Sequence, residues 1–265
     1  MKRLMRYFSQ FYRQVVNPFL TINQTPIIIL GNQKSGTSAI AHLLADIGGL
    51  SKAVDIPPFW LPYGAYIMQG KIQFDHVVQK HRRYFVVDII KEPNFIFFID
   101  DVMRFFPDAK YIFIIRDPRE NIRSILNRRN ILGDRDTIPD NMLPDTWKGI
   151  IFDPNIWGGA EENYIGVLSH RWNLAVENYL KYEDRITLIR YEDFLASKVG
   201  SITQLAQKVG IALVNDISDR VDIQYQPRGN HSISWQEFFG DANLATINRI
   251  CGEQMAKFGY ETDSK

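Results

Sequence analysis

The stretch "PIIILGNQKSGTSAIAHLL" (residues 26–44) constrains this chain most. Four consecutive aliphatic residues end at Gly31, a short polar loop closes at Gly36, and a second apolar run follows. The pattern reads as a buried strand over 26–31, a glycine turn and a helix over 37–47. In that layout backbone N–H groups converge on one concavity and the helix dipole adds positive potential, so the loop is an anion cradle. Ser35, Thr37 and Ser38 add hydroxyl donors around it. Gly31 and Gly36 have the spacing of the triphosphate-binding loop, G-x-x-x-x-G-K-[ST]. Here, however, Thr37 stands where that loop has lysine, and Lys34 lies inside the loop. The post-glycine lysine serves the β/γ phosphates beside Mg²⁺. Its displacement argues against a metal-dependent triphosphate enzyme and for a lysine facing a terminal or leaving group of another anion.

The rest of the chain alternates strand-like and helix-like segments. "YFVVDII" (84–90), "AKYIFIIR" (109–116) and "ITLIRY" (186–191) read as further strands. Helical spacing marks 95–106, 164–182, 198–210 and 241–258. Residues 56–64 hold three prolines and three aromatics and read as loop; 130–160 read as a long loop or insertion, and 225–235 as irregular. Such alternation predicts an α/β fold with a central, mostly parallel sheet flanked by helices, whose ligands bind beyond the carboxyl ends of the strands. The loop after residue 30, Lys91, Arg116 and Tyr191 all fall at such ends.

Composition narrows the function. With 31 Lys and Arg against 30 Asp and Glu, nothing global points to nucleic acid, so any anion site is local. The one cysteine, Cys251, excludes an internal disulfide and fits a reducing, cytoplasmic compartment; its type is more often a buried small hydrophobe than a nucleophile. No apolar run approaches the ~20 residues that span a bilayer. The His, Cys, Asp and Glu residues show no metal-ligand spacing. Residues 1–25 are expected to hold an amphipathic helix, with Leu4, Phe8, Phe11 and Val15 beside Lys2, Arg3, Arg6 and Arg13. It either packs on the domain or lies through residues 1–20 on an anionic membrane surface.

A second constellation is "YIFIIRDPRENIRSIL" (111–126). Arg116 ends a strand, Asp117 is placed to cap the next helix, Pro118 takes its first position, and Ser124 follows Arg116 by eight residues. Arginine offers a planar fork suited to phosphate.

Together these motifs resemble the sulfotransferases that use 3′-phosphoadenosine 5′-phosphosulfate (PAPS). "QKSGTS" (33–38) is similar to that family's 5′-phosphosulfate loop, and "RDPRE" with Ser124 to its 3′-phosphate motif. "KEPNF" (91–95) resembles an element of the carbohydrate and protein sulfotransferases. "RYEDF" (190–194) resembles the Y-E-D element whose tyrosine approaches the nucleotide. "RGNHSISW" (228–235) resembles the late R-K-G-x-x-G-D-W element at Arg228 and Trp235, but carries Gly229, Asn230 and Ser234 where that element has lysine, glycine and aspartate. The resemblance runs over roughly residues 26–260 and implies a domain of 26–265 on a P-loop nucleotide-kinase-like fold. It implies sulfuryl transfer from PAPS to an acceptor hydroxyl or amine, without a metal. Lys34, Ser35, Gly36, Thr37, Ser38, Arg116, Ser124, Tyr191 and Arg228 are the implied donor-binding residues, and Lys34, Asp55 and Lys91 the implied catalytic ones. The histidine base of the cytosolic aryl and steroid enzymes is absent, since Pro93 holds its position; Asp55 is the nearest match to the glutamate of the carbohydrate enzymes. Glu92 is the alternative base, with His76, His81, His170 and His231 behind it.

The acceptor site is expected from "DIPPFWLPYGAY" (55–66) and the 130–160 segment, through Phe59, Trp60, Tyr63, Trp147 and Trp157. A carbohydrate or related hydroxyl compound is the favoured acceptor, with a lipid or other small hydroxyl compound as alternatives. Two other readings stay open: a nucleotide-kinase-like phosphotransferase, which would want lysine after Gly36, and a non-catalytic nucleotide-binding relative.

Overall fold

In the computed structural model the described residues are 16–138, 145–159, 162–224 and 233–262. The chain runs β1 (Ile27–Gly31), α1 (Thr37–Gly48), β2 (Lys52–Val54), α2 (Tyr63–Met68), α3 (Phe74–Lys80), β3 (Ile89–Lys91), α4 (Ile99–Phe105), β4 (Lys110–Ile115) and α5 (Pro118–Asn127). It continues through α6 (Asp145–Phe152), α7 (Pro154–Trp157), α8 (Tyr164–Leu180), β5 (Ile186–Arg190), α9 (Tyr191–Ala196), α10 (Lys198–Lys208) and α11 (Trp235–Lys257). One five-stranded sheet of order β2-β3-β1-β4-β5 organises it, and every pairing is parallel. The α/β class expected from the alternation is the one observed.

The sheet is parallel because helices cover both of its faces, and its inner strands are accordingly continuous apolar runs. All five residues of β1 are buried. Ile28 and Leu30 face one core together with Ile90, Phe113 and Ile115. Ile27 and Ile29 face the other with Ile89, Ile112 and Ile114, against Ile40, Leu43 and Leu44 of α1. Phe113 stacks on Tyr179 of α8, with ring centroids 4.9 Å apart.

Several expected elements shift. The strand read over 84–90 is only Ile89–Lys91, because Arg82–Tyr84 form a 3-10 turn and Phe85 turns into the aromatic core. The helix read over 95–106 begins as a 3-10 segment from Pro93 to Phe98. The 130–160 segment contains α6 and α7, the latter started by Asp153, whose side chain accepts from Asn155 N. β2 had no sequence signal. The apolar positions of the amphipathic helix expected over 1–25 lie in residues 1–15, outside the described residues; Asn17–Phe19 form a 3-10 turn. Among the described residues no helix is long and apolar enough to cross a membrane.

Candidate functional site

Each of the five strands delivers one motif to the same edge of the sheet. Beyond β1 lies the glycine loop, just past β2 lies Asp55, Lys91 ends β3, Arg116 follows β4, and Tyr191 follows β5. Together they line a cleft of about 710 Å³. Ligands of open α/β sheets bind at this edge.

The loop geometry explains its glycines. Gly36 has φ 87°, and a Cβ there would stand 2.2 Å from the Tyr191 ring. Gly31 has φ 148°, and a Cβ would stand 2.7 Å from Ile114 O. Lys34 itself holds a left-handed φ of 68°, a strained conformation for a residue with a side chain. Arg116 secures it: its Nη1 donates to Lys34 O at 2.9 Å, its Nη2 donates to Glu120 Oε2 at 3.0 Å, and its guanidinium lies 4.7 Å over the Tyr191 ring. Tyr191 in turn covers Gly36. The two phosphate-type motifs, 82 residues apart in sequence, thus form one interlocked wall. Asp117 caps α5 as expected, accepting from Arg119 N at 2.9 Å, and Ser124 reaches the cleft from the same helix.

Cations gather around Lys34 at the glycine-loop end of the cleft. Lys34 has its pKa pushed down to about 8, first by burial and then by the positive charges of Arg128, Arg116 and Lys91. Four cations thus meet beside the glycine loop, Arg116 paired with Glu120 and Lys91 with Asp55. Among the described residues, no group of three or more His, Cys, Asp or Glu is placed to hold a metal ion.

Opposite, Lys91 Nζ pairs with Asp55 Oδ1, while Asp55 N donates to Lys91 O at 3.0 Å. The Asp55 side chain is 40% exposed and that of Lys91 only 3%. Glu92 is wholly buried; its two oxygens accept from Ile56 N at 2.7 Å and Asn94 N at 3.1 Å. Burial pushes its carboxyl up to about 7.

Of the expected site residues, Lys34, Gly36, Thr37, Ser38, Asp55, Lys91, Arg116, Ser124 and Tyr191 all line the cleft. Ser35 does not: it is 1% exposed, and its Oγ accepts from Asn121 Nδ2 at 3.0 Å behind the loop. Arg228 and His231 lie outside the described residues. Trp235 packs under Arg119, 3.8 Å from the guanidinium, and its Nε1 donates to Glu120 at 2.8 Å, which anchors the end of that late segment on α5. Of the expected acceptor aromatics, Trp60 and Trp147 line the cleft. Phe59, Tyr63 and Trp157 do not; Tyr63 is 54% exposed outside it. Phe59 is fully buried, 4.9 Å from Phe95 and 5.3 Å from Phe74, and Trp157 packs 4.7 Å from Phe97. Reading the sequence overlooked Arg128, four residues past Ser124 and so on the same face, where helical spacing carried the signal. It also overlooked Lys198, which pairs with Asp222 across the cleft mouth, and the apolar rim of Phe194, Leu195, Val221 and Ile223.

A family model described as "Sulfotransferase family" matches residues 59–216, more than half of the chain. That match begins after the glycine loop, so the loop is a separate observation. Among solved structures, the fold is similar to sulfotransferase STF9 from Mycobacterium avium (TM-score 0.61, 13% identity, 97% of this chain and 82% of that one). It is also similar to sulfotransferase STF1 from Mycobacterium tuberculosis (TM-score 0.53, 14% identity, 92% and 81%). A third is mouse sulfotransferase SULT7A1, solved in complex with PAP (TM-score 0.53, 14% identity, 91% and 88%). No curated protein sequence matches. With the family model spanning most of the sheet and the helices around it, and the same fold in these structures, this chain belongs to the sulfotransferase family.

Proposed function

We propose that the protein transfers a sulfuryl group from PAPS to a hydroxyl of a carbohydrate or related compound. One observation carries the reading: the glycine-loop lysine, Arg116 and Ser124 converge on a single cleft, with Arg128 and Lys91 beside the lysine. The residues fit the donor's two anionic ends. Gly31 and Gly36 let Ile114 and the Tyr191 ring pack directly on the loop, and Lys34, Thr37 and Ser38 stand there for a 5′-phosphosulfate. Arg116, Ser124 and Arg128 stand on the α5 side for a 3′-phosphate. The bound donor supplies the sulfuryl group, whose transfer breaks its S–O bond to the 5′-phosphate and forms an S–O bond to the acceptor oxygen.

The chain's own residues then have distinct tasks. Lys34 holds a positive charge where negative charge grows on the departing phosphate oxygen. Arg116 holds Lys34 in its left-handed conformation through Nη1, braces Nη2 on Glu120, and has its remaining N–H groups for phosphate. Asp55, held by Lys91 and open to the cleft, takes the acceptor proton. Trp60 and Trp147 give the acceptor flat faces, which suit a sugar ring.

Calorimetry with 3′-phosphoadenosine 5′-phosphate (PAP) against ATP–Mg²⁺ tests the donor. Tight binding of PAP, lost in Arg116→Ala, is expected; preference for ATP–Mg²⁺ would overturn the reading in favour of a phosphotransferase. A labelled-PAPS screen over glycans, lipids and phenols then tests the acceptor, with label expected on glycans first.

A further inference from the structure

Behind the donor loop sits a wholly buried arginine that the mechanism above does not use. Arg171, on α8, is 0% exposed. Its guanidinium packs on two rings that also touch each other, 4.6 Å from Phe97 and 4.8 Å from Trp157. Its Nη1 donates to Asn32 Oδ1 and its Nη2 to Gln33 Oε1. Its Nε has no hydrogen-bond partner. Burial alone pushes its pKa down to about 9, with no carboxylate offsetting it. A buried arginine usually answers a carboxylate. This one answers two amides.

The two amides are consecutive residues of the donor loop, immediately before Lys34. By taking both carbonyl oxygens, the fork turns both NH₂ ends away, and each is then used. Asn32 Nδ2 donates to Asn121 Oδ1 at 3.1 Å, and Gln33 Nε2 donates to Asn94 Oδ1 at 3.1 Å. Asn121 returns two bonds to the loop, to Gln33 O at 2.7 Å and Ser35 Oγ at 3.0 Å. Asn94 donates onward to Phe59 O at 3.1 Å. Four neutral amides therefore join three segments: the loop with Lys34, the β3 turn with Lys91, and α5 with Ser124. An amide can point either way; Arg171, which can only donate, fixes the chain of four from one end, and the carbonyls of Gln33 and Phe59, which can only accept, fix it from the other.

We propose that Arg171 is the positioning residue of the donor site, orienting through Asn32 and Gln33 the amide network that sets Lys34 against Lys91 and the α5 phosphate side. The identity of the donor comes from the proposed function; the orienting role does not depend on it. A fork is required, so Lys at this position should fail as an apolar side chain does.

The test measures binding of PAP and, separately, of inorganic pyrophosphate by calorimetry, with thermal melts alongside. Arg171→Met should weaken PAP binding roughly 10- to 100-fold, the size of lost charge-assisted hydrogen bonds. It should raise the KM for donor while that for acceptor changes little, and Arg171→Lys should match it. The double variant Arg171→Met/Asn121→Ala should lose less than the sum of the singles, because both act through one network. Unchanged PAP affinity in a folded Arg171→Met, with only a lower melting temperature, would reduce Arg171 to a core residue and overturn the inference. Rescue by lysine would overturn the fork argument. If Arg171→Met fails to fold, Gln33→Met removes one arm at the cleft surface and must show the same loss; full affinity there overturns the inference. Wild-type protein that binds pyrophosphate but not PAP would refute the PAPS reading alone, and pyrophosphate would then report on Arg171 in the same variants.

Discussion

Lys34→Met should lower turnover by about 10²- to 10³-fold, the loss seen when a preorganised group facing transition-state charge is removed. At neutral pH it should also melt at a higher temperature than the wild type. Both follow from one geometry. Lys34 is partly buried and surrounded by Arg128, Arg116 and Lys91, which together lower its pKa to about 8. Between that value and the ordinary lysine range near 10.5, the unfolded chain binds the proton that the folded chain releases. Stability therefore rises with pH across this window, and below it the Lys34 charge weighs fully against the fold. Removing the charge removes that penalty, so the melting advantage of Lys34→Met should be largest at pH 7 and fade by about pH 10. A bound dianion reverses the balance by favouring the charged lysine. PAP binding should consequently weaken as pH rises through 8 and take up a proton, measurable as a buffer-dependent heat in calorimetry. Lys34→Arg should flatten that pH dependence. A wild-type affinity that stays constant from pH 7 to 9.5 would show that Lys34 does not titrate in the free site. A Lys34→Met variant that melts lower at pH 7 would show that its charge is already balanced there.

The sheet was legible in the sequence where strands are buried on both faces. "IIIL" and "YIFII" are continuous aliphatic and aromatic runs, and both became strands of the expected extent. β2 was not legible: "KAV" is three residues long, at the sheet edge, and has no periodicity of its own. Its place comes from pairing with β3, a contact that no local pattern encodes. The same limit applied to the aromatics. Phe59 and Trp60 are neighbours in a proline-rich segment, yet Phe59 is fully buried and Trp60 is 42% exposed. Composition marked the segment but could not say which ring turned inward, because that choice is made by Phe74, Phe85, Phe95 and Phe98 packing around Phe59.

The glycine-loop and α5 wall of the cleft was legible because each motif sits at a strand end, where the chain must turn and where side chains meet. Arg116 and Ser124 were placed together by a turn and about two helical turns between them. The buried support was not legible. Nothing in "LSHRWNL" distinguishes Arg171 from a surface arginine, since its partners lie 138 and 139 residues away. Such support belongs to the tertiary structure alone, and at a functional site it carries a desolvated charge that a stability-driven core would omit.

Beside Lys91 the cleft holds two carboxyls, Asp55 and Glu92, and their surroundings decide which can take an acceptor proton. Asp55 is held by Lys91, keeps a left-handed φ of 59°, and exposes 40% of its side chain to the cleft. Glu92 adjoins it but has both oxygens committed to backbone N–H groups of Ile56 and Asn94. A base must reach the proton it removes, and Asp55 can. Asp55→Asn should therefore reduce turnover by about 10²- to 10⁴-fold while PAP affinity changes little, since the proposed donor contacts lie on the glycine loop and α5. Glu92→Gln should act on stability. Its amide would set an NH₂ against one of two N–H donors, leaving buried donors facing each other at a cost of roughly 1–3 kcal/mol. The wild-type Glu92 gives a second, independent signature. Its carboxyl is raised from near 4.5 to about 7, so the folded chain holds a proton that the unfolded chain has lost. Stability should thus fall as pH rises from about 4.5 to 7, and Glu92→Gln should lose that slope. If instead turnover rises through pH 7 and Glu92→Gln abolishes that limb, with Asp55→Asn near full activity, the proton passes to Glu92. The two backbone bonds would then have to open during turnover, and amide exchange at Ile56 and Asn94 would quicken when acceptor binds.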